Sequence, residues 1–424
     1  MSLLLCLVLT PEAFAQDDQG FPQGTDGPPD YTLGEEDGTD PIPANEPRSW
    51  DEAEPGEVVV KPSSDGEGVG IEELLVTAQK RAQDIQDVPI SVAALNAQFI
   101  EDAGLTGMLG LSQYVPNLQI SENTDTRSTG IRIRGIGSDG INAGIDPSVG
   151  VFIDGVYMGR SGASAIVDMV DIERIEVLRG PQGTLYGKNT AAGAISVVSK
   201  KPIVNVFEGV LEGIIGSYGD RQFRGSTNIP LLDDRIATRI SGYWVDRDPY
   251  DVLLSNGEGV NDGKRSGVRV STLFNISEDL EFLFWGDYNS QSNKCCVADI
   301  LSYQGYPNLD VVFSEKFAAD IPGLGSLEGA NNRPLPVADG FDRIVDADQP
   351  VFNDVTTWGV AGEFNYDIND FVVTWLNAYR QYSSFSTLDG DFSAFDAVLA
   401  DSDEDFQQVS SELRLTSPAS ETLD

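Results

Sequence analysis

Two patterns of apolar and polar positions divide this chain. Between residues 81 and 202 the apolar runs are short and broken by glycine, and from 203 to 424 they settle into long stretches with a period of two. The earlier region is organised around residues 172–202, IERIEVLRGPQGTLYGKNTAAGAISVVSKKP. Its first part predicts a strand: Ile175, Val177 and Arg179 fall on one side, Glu176, Leu178 and Gly180 on the other, and Gly180-Pro181 stops the run. Gly183, Gly187 and Gly193 supply backbone freedom around the turn, and residues 194–199 read as a second short strand. Upstream, DVPISVAALNAQFIEDAG and MLGLSQYVPNLQIS predict a strand, a helix, a helical turn and a strand, punctuated by Gly104 and Pro116. GIRIRGIGSDG predicts an inner strand that ends in a Gly-rich loop through Asn142 and Gly144. VGVFIDGVYMGR predicts two strands about the tight turn Asp154-Gly155.

The later region reads as two-faced strands. In TTWGVAGEFNYD, Thr356, Trp358, Val360, Gly362, Phe364 and Tyr366 share one face, while Thr357, Gly359, Ala361, Glu363, Asn365 and Asp367 share the other. Ile236, Ile240 and Trp244 stand against Arg235, Arg239 and Ser241 in the same way. So do Leu280, Phe282, Phe284 and Tyr288 against Glu281, Asp287 and Asn289, although Leu283 and Trp285 blur the alternation. Tight connections near Asp233-Asp234, Ser277-Glu278 and Asn369-Asp370 alternate with long ones at 246–264 and 289–353. A soluble sandwich shows similar alternation with shorter strands and less lopsided loops, so the asymmetry favours a membrane barrel with its short turns on the periplasmic rim. About eight strands are legible, whereas the larger membrane barrels close with about 22. The expectation is therefore an N-terminal piece of a longer barrel, since SETLD at the end also lacks a closing aromatic strand.

Composition narrows the function. The chain of 424 residues carries 27 basic and 68 acidic side chains, a net charge of −41, which argues against nucleic-acid partners. It has no histidine, so histidine triads, bases and metal ligands are excluded, and haem is disfavoured for want of an axial ligand. Of three cysteines, Cys6 lies in SLLLCLVLTPEAFA, read as a signal peptide over residues 1–15 with cleavage before Gln16. Cys295 and Cys296 remain, either as a vicinal disulfide stiffening a loop tip or as plain loop residues. Residues 16–70, rich in Asp, Glu, Gly and Pro, are expected to be a disordered acidic tail. No metal site or catalytic set is recognisable, and no cofactor is expected.

The run LRGPQGTLYGKNTAAGAISVVSKKP resembles the end of the plug domain of TonB-dependent outer-membrane receptors, and the order of segments over 81–202 is similar to the whole plug. Arg179, Gly180, Pro181, Gly183, Tyr186, Gly187 and Gly193 carry that motif. The resemblance implies an α+β plug domain followed by an antiparallel transmembrane β-barrel, truncated here, with the first part of the barrel at 203–424. Within 71–80, Glu72, Glu73, Leu74, Leu75, Val76, Thr77 and Ala78 resemble the TonB box, an extended segment able to add as a strand to a partner's sheet edge. A folded signalling domain in the tail is disfavoured. The loops at 136–145 and 158–165 correspond to plug apices that contribute to solute binding in this family, which singles out Arg134, Gly135, Asp139, Arg160 and Ser161. For each arginine the other reading is a salt bridge to the barrel wall. The implied partners are TonB with its inner-membrane energising complex, outer-membrane lipid and a scarce large solute. A ferric siderophore is favoured, with cobalamin or an oligosaccharide as alternatives. A passive porin, an adhesin or a surface glycosidase would need neither a TonB box nor a plug.

Overall fold

The computed structural model of the protein describes residues 75–77, 79–81, 83–122, 125–138, 144–232, 234–253, 256–295, 297, 343–345, 351–389 and 399–417. The segments 1–15 and 16–70, together with Glu72, Glu73, Leu74, Ala78, Asp139, Cys296, Tyr303 and Tyr306, lie outside the described residues.

The plug is built on the strand Ile172–Arg179, which pairs antiparallel on one side with Ser91–Asn96 and on the other with Gly193–Ser199. Gly193–Ser199 pairs parallel with Val149–Ile153, and Val156–Tyr157 completes the five-stranded sheet. Both faces are covered. Ile175, Val177, Ile195, Val149 and Val151 pack on one face with Ile100, Leu111 and Ile133 from the helix Ala97–Asp102, the 3-10 turn Met108–Gln113 and the strand Gly130–Ile133. On the other face Leu178, Ala194 and Phe152 are covered by Val76 and Val88 from the N-terminal segment. The alternation read from IERIEVLRG is therefore real, and both of its sides are buried, Glu176 fully so beside Leu178.

Gly193 shows why the motif is rich in glycine. Its φ is +156°, and a Cβ there would lie 2.3 Å from the carbonyl oxygen of Leu178. The tight turn at Asp154-Gly155 is also as expected, with φ of 49° and 79° at its two central residues. Two expectations change. After Gly130–Ile133 the chain turns at once through Arg134 and Gly135 into a further strand, Ile136–Ser138, paired back on the first; Asn142 lies outside the described residues. Within 158–165, Ser161–Ala165 is a short helix rather than loop.

Beyond the plug, eight strands form one antiparallel sheet in chain order: Glu208–Ile215, Arg221–Leu232, Ile236–Arg247, Gly263–Asn275, Leu280–Asn293, Phe352–Ile368, Phe371–Asp389 and Leu399–Thr416. Trp244, Trp358, Val360 and Tyr366 are exposed on the outer face. Arg239, Ser241, Thr357 and Ala361 are buried on the inner one. Leu283 and Trp285 break the alternation because they are inner-face residues covered by the plug, clustered with Val156, Leu273 and Leu376.

Ion pairs tie plug to wall. Asp168 meets Arg224 at 3.1 Å and Arg265 at 3.4 Å, Asp171 meets Arg239 at 2.6 Å, and Asp154 meets Arg269 at 2.6 Å. Most of these groups are deeply buried, so each charge depends on its partner for the solvation it lost.

Candidate functional site

Two places on this scaffold are built for contact. The first is a basin at the end of the sheet that carries the long connections, on the outer side by the barrel rule. It has a volume of about 520 Å³, within the range of small-molecule sites. The plug supplies its floor through Thr106, Leu109, Glu122, Thr126 and Ala165, and the wall supplies Arg247, Tyr250, Asn261, Lys264, Arg265 and Gln291. The floor is fixed by a short 3-10 turn, Thr126–Ser128, whose capping Asp125 accepts the Ser128 backbone N–H at 2.7 Å. Two wall residues then grip that turn: Gln291 donates to the Thr126 hydroxyl at 2.6 Å, and the Ser386 hydroxyl donates to Asp125 at 2.9 Å.

Charge in the basin is balanced and engaged. Lys264 lies 3.3 Å from Asp262, and Arg265 reaches Asp168. The Arg247 guanidinium stacks 5.1 Å from the Tyr250 ring, and Arg343 covers the same ring at 5.3 Å. A small folded cap stands beside this cluster, made of Asp251–Leu253, Gly259–Val260 and Ile344–Val345, with Leu253, Val260, Val297, Val345 and Val351 as its core. Cys295 at its edge is disulfide-bonded. Such a basin offers amide and hydroxyl donors, an aromatic face and paired charges to a large polar solute.

Glu122 is the basin's perturbed acid. Its residue stays open to solvent in the basin, and the surrounding protein atoms raise its carboxyl above the usual range against the opposing hydrogen bond from the Thr126 hydroxyl. With the folded pKa raised, stability is unaffected below the ordinary carboxylate pKa and falls as pH rises from there to the folded value. Glu122→Gln keeps the acceptor and removes the charge. It is expected to raise the thermal midpoint of the protein in detergent micelles at neutral pH and to leave it unchanged at pH 3, as read by calorimetry; an equal midpoint at both pH values would refute the assignment.

The second place is the N-terminal segment. Leu75–Val76 pairs antiparallel with Gln83–Asp84 as a two-stranded sheet, so its other edge carries no strand among the described residues. Val76 is fully buried on the back of the plug sheet. Thr77 is held by Glu176, which accepts the Thr77 backbone N–H at 2.7 Å and its hydroxyl at 3.0 Å, while Arg174 donates to Glu176 at 2.8 Å. Lys80 then lies over the Tyr186 ring at 4.7 Å and pairs with Glu412 of the last wall strand at 3.4 Å. Burial pushes the Lys80 ammonium below its ordinary value, with Glu412 opposing.

Of the residues singled out for solute contact, the described ones do not line this basin. Arg134 and Gly135 form an exposed turn, with the Arg134 guanidinium near Gly180. Arg160 meets Glu404 of the wall at 2.6 Å and lies 5.2 Å over the Phe406 ring, the wall contact that the sequence left open; Ser161 begins the helix behind it. Sequence reasoning passed over Glu122, Thr126 and Glu176. Only Glu176 had a visible signal, a charge set between Ile175 and Val177 in the middle of a strand.

Residues 84–194 match the model of the TonB-dependent Receptor Plug Domain. Over 161 residues the chain is 30% identical to the pesticin receptor of Yersinia pestis, covering 38% of this chain and 23% of that protein. Over 170 residues it is 31% identical to the ferrioxamine B receptor of Salmonella typhimurium, covering 39% and 23%. The chain thus matches about a quarter of the length of these curated relatives. Among solved structures, the ferric yersiniabactin uptake receptor of Yersinia pestis superposes with a TM-score of 0.62 at 20% identity, covering 78% of this chain and 46% of the other. The ferripyoverdine receptor of the Pseudomonas aeruginosa outer membrane gives 0.59 at 18% identity, covering 80% and 41%. At such identities the superpositions speak for the fold alone, and the fold they share is this plug seated against an antiparallel wall. The plug motif, the plug's sheet order and the two-faced wall all agree with that match, and residues 84–194 of this chain are a TonB-dependent receptor plug domain.

Proposed function

We propose that this chain is the solute-gating part of a receptor that binds a ferric siderophore outside the cell and admits it with energy delivered through TonB. One observation carries the reading. A solute-sized basin on the outer side and an extended N-terminal segment clasped by Glu176 lie on the same plug, so a pull on the segment acts on the domain that floors the basin. The name of one relative, the ferrioxamine B receptor, supports an iron chelate over cobalamin or oligosaccharides. Residues 72–78 are the proposed TonB contact, with edge pairing as its chemistry. No covalent step is assigned.

The test uses cells producing the intact receptor under iron limitation, offered a panel of radiolabelled iron chelates. At least one chelate should bind at the surface and be imported, and import should collapse when an uncoupler dissipates the proton-motive force. Import that persists without that force would identify a passive pore, and cobalamin import in place of iron would correct the solute.

A further inference from the structure

A second cavity, of about 420 Å³, lies between plug and wall toward the end that carries the short turns. Glu363 on its rim and Glu281 beside it stand close to the turns at 369–370 and 276–279, which places this end on the periplasmic side. Its lining inverts the charge of the molecule. Lys80, Arg174, Lys200, Lys201, Arg269 and Arg414 face it, against Asp154, Glu173 and Glu363, in a chain with 27 basic and 68 acidic residues.

Four of the six cations are engaged in short pairs. Arg269 holds Asp154 at 2.6 Å, Arg174 holds Glu176 at 2.8 Å, and Lys80 and Arg414 share Glu412 at 3.4 and 3.1 Å. The other two are adjacent on the segment leading from plug to wall. Lys201 is half-exposed, 3.7 Å from Glu281 and 3.8 Å from Glu363, beyond hydrogen-bonding reach. Lys200 is exposed and makes no ion pair among the described residues. Trp285, under Arg269 at 5.5 Å, gives the chamber an apolar wall.

We infer that this chamber is an anion-accepting station on the inner side, where Lys200 and Lys201 hold the carboxylate or catecholate oxygens of an anionic chelate after it passes the plug and before it leaves. Two ammonium groups with loose or no partners can turn to a ligand without breaking a short pair, and a compact ammonium suits oxygens of varied geometry. The identity of the cargo rests on the proposed function; the charge of the chamber does not.

The closing experiment has two arms. In the first, the intact receptor in detergent micelles is titrated calorimetrically with citrate. Lys200→Gln/Lys201→Gln should weaken citrate binding by about fivefold or more, the scale of losing two partly exposed charge contacts, and Lys200→Arg/Lys201→Arg should restore most of it. Citrate that binds the glutamine variant as tightly as the parent, or that fails to bind the parent, overturns the station. In the second arm, cells import one iron chelate of net negative charge and one of net positive charge. The glutamine variant should bind both at the surface as the parent does, import the anionic one about threefold to tenfold more slowly, and import the cationic one at the parental rate. Equal slowing of both shows a structural role for the lysines and overturns the proposal; citrate binding lost with anionic import unchanged shows a site for a free periplasmic anion and overturns its role in cargo exit. If the unmodified receptor binds neither chelate at the surface, the uptake reading fails instead, and the citrate arm alone judges the station.

Discussion

Replacing Leu75 with proline is expected to leave solute binding at the cell surface unchanged and to abolish nearly all energised import. Leu75–Val76 is a short strand with one edge unoccupied among the described residues, which is the form needed for a partner to pair with it. Proline removes a backbone donor and fixes a φ that disfavours regular pairing. Losing two backbone hydrogen bonds at about 1 kcal/mol net each weakens the pairing by more than about tenfold, a large share of the affinity of so short a strand. The basin lies on the outer side of the plug and shares no lining residue with this segment. Surface binding and import of a labelled chelate, measured in the same cells, separate the two effects. Normal import by the variant would place the coupling site elsewhere in the tail.

The second large effect is predicted at Gly193. Any side chain there meets the Leu178 carbonyl oxygen at 2.3 Å and the Ile133 Cδ1 at 2.7 Å, at a φ of +156° that side chains rarely adopt. Neither obstacle can yield cheaply. Leu178 is paired in register between Val92 and Ala194, and Ile133 is fully buried in the main plug core. Gly193→Val should therefore destabilise the plug by about 4 kcal/mol or more, through strain and overpacking together. In limited proteolysis of the isolated receptor the plug should be cut in the variant under conditions that leave the parent intact, while the barrel resists. A plug that stays resistant would show that the sheet can spread at this pairing.

Much of this fold could be read from residue order because its signals are local. The hairpin at Asp154-Gly155, the helix over 97–102 and the two-faced wall strands each follow from a period or a turn residue within a dozen positions. What stayed hidden depended on contacts between distant segments. Leu283 and Trp285 look like exceptions to an alternating strand until Val156 of the plug is seen against them. Nothing near Glu176 in the sequence explains a charge inside this strand until Thr77, 99 positions earlier, is found hydrogen-bonded to it. The basin was the least legible part: Arg160, noticed as a rare cation, pairs with Glu404 of the wall, and the basin floor comes from Glu122 and Thr126, whose residue types carry no signature.

The lengths of the wall strands have a consequence for how the receptor meets its surroundings. The strand Phe371–Asp389 has 19 residues and its neighbour Phe352–Ile368 has 17, whereas about 10 tilted residues suffice to cross a bilayer core. Their shared turn at 369–370 sits at the inner surface, so the surplus projects outward. Nine extra residues at about 3.4 Å each, tilted near 45°, lift the outer rim roughly 20 Å above the hydrocarbon. That height is spanned by continuous hydrogen-bonded sheet. The outer rim is thus uneven: it stands proud of the lipid headgroups along these long strands, where a bulky solute meets the protein before the membrane, and steps down toward the basin, whose wall strands have 12 to 14 residues.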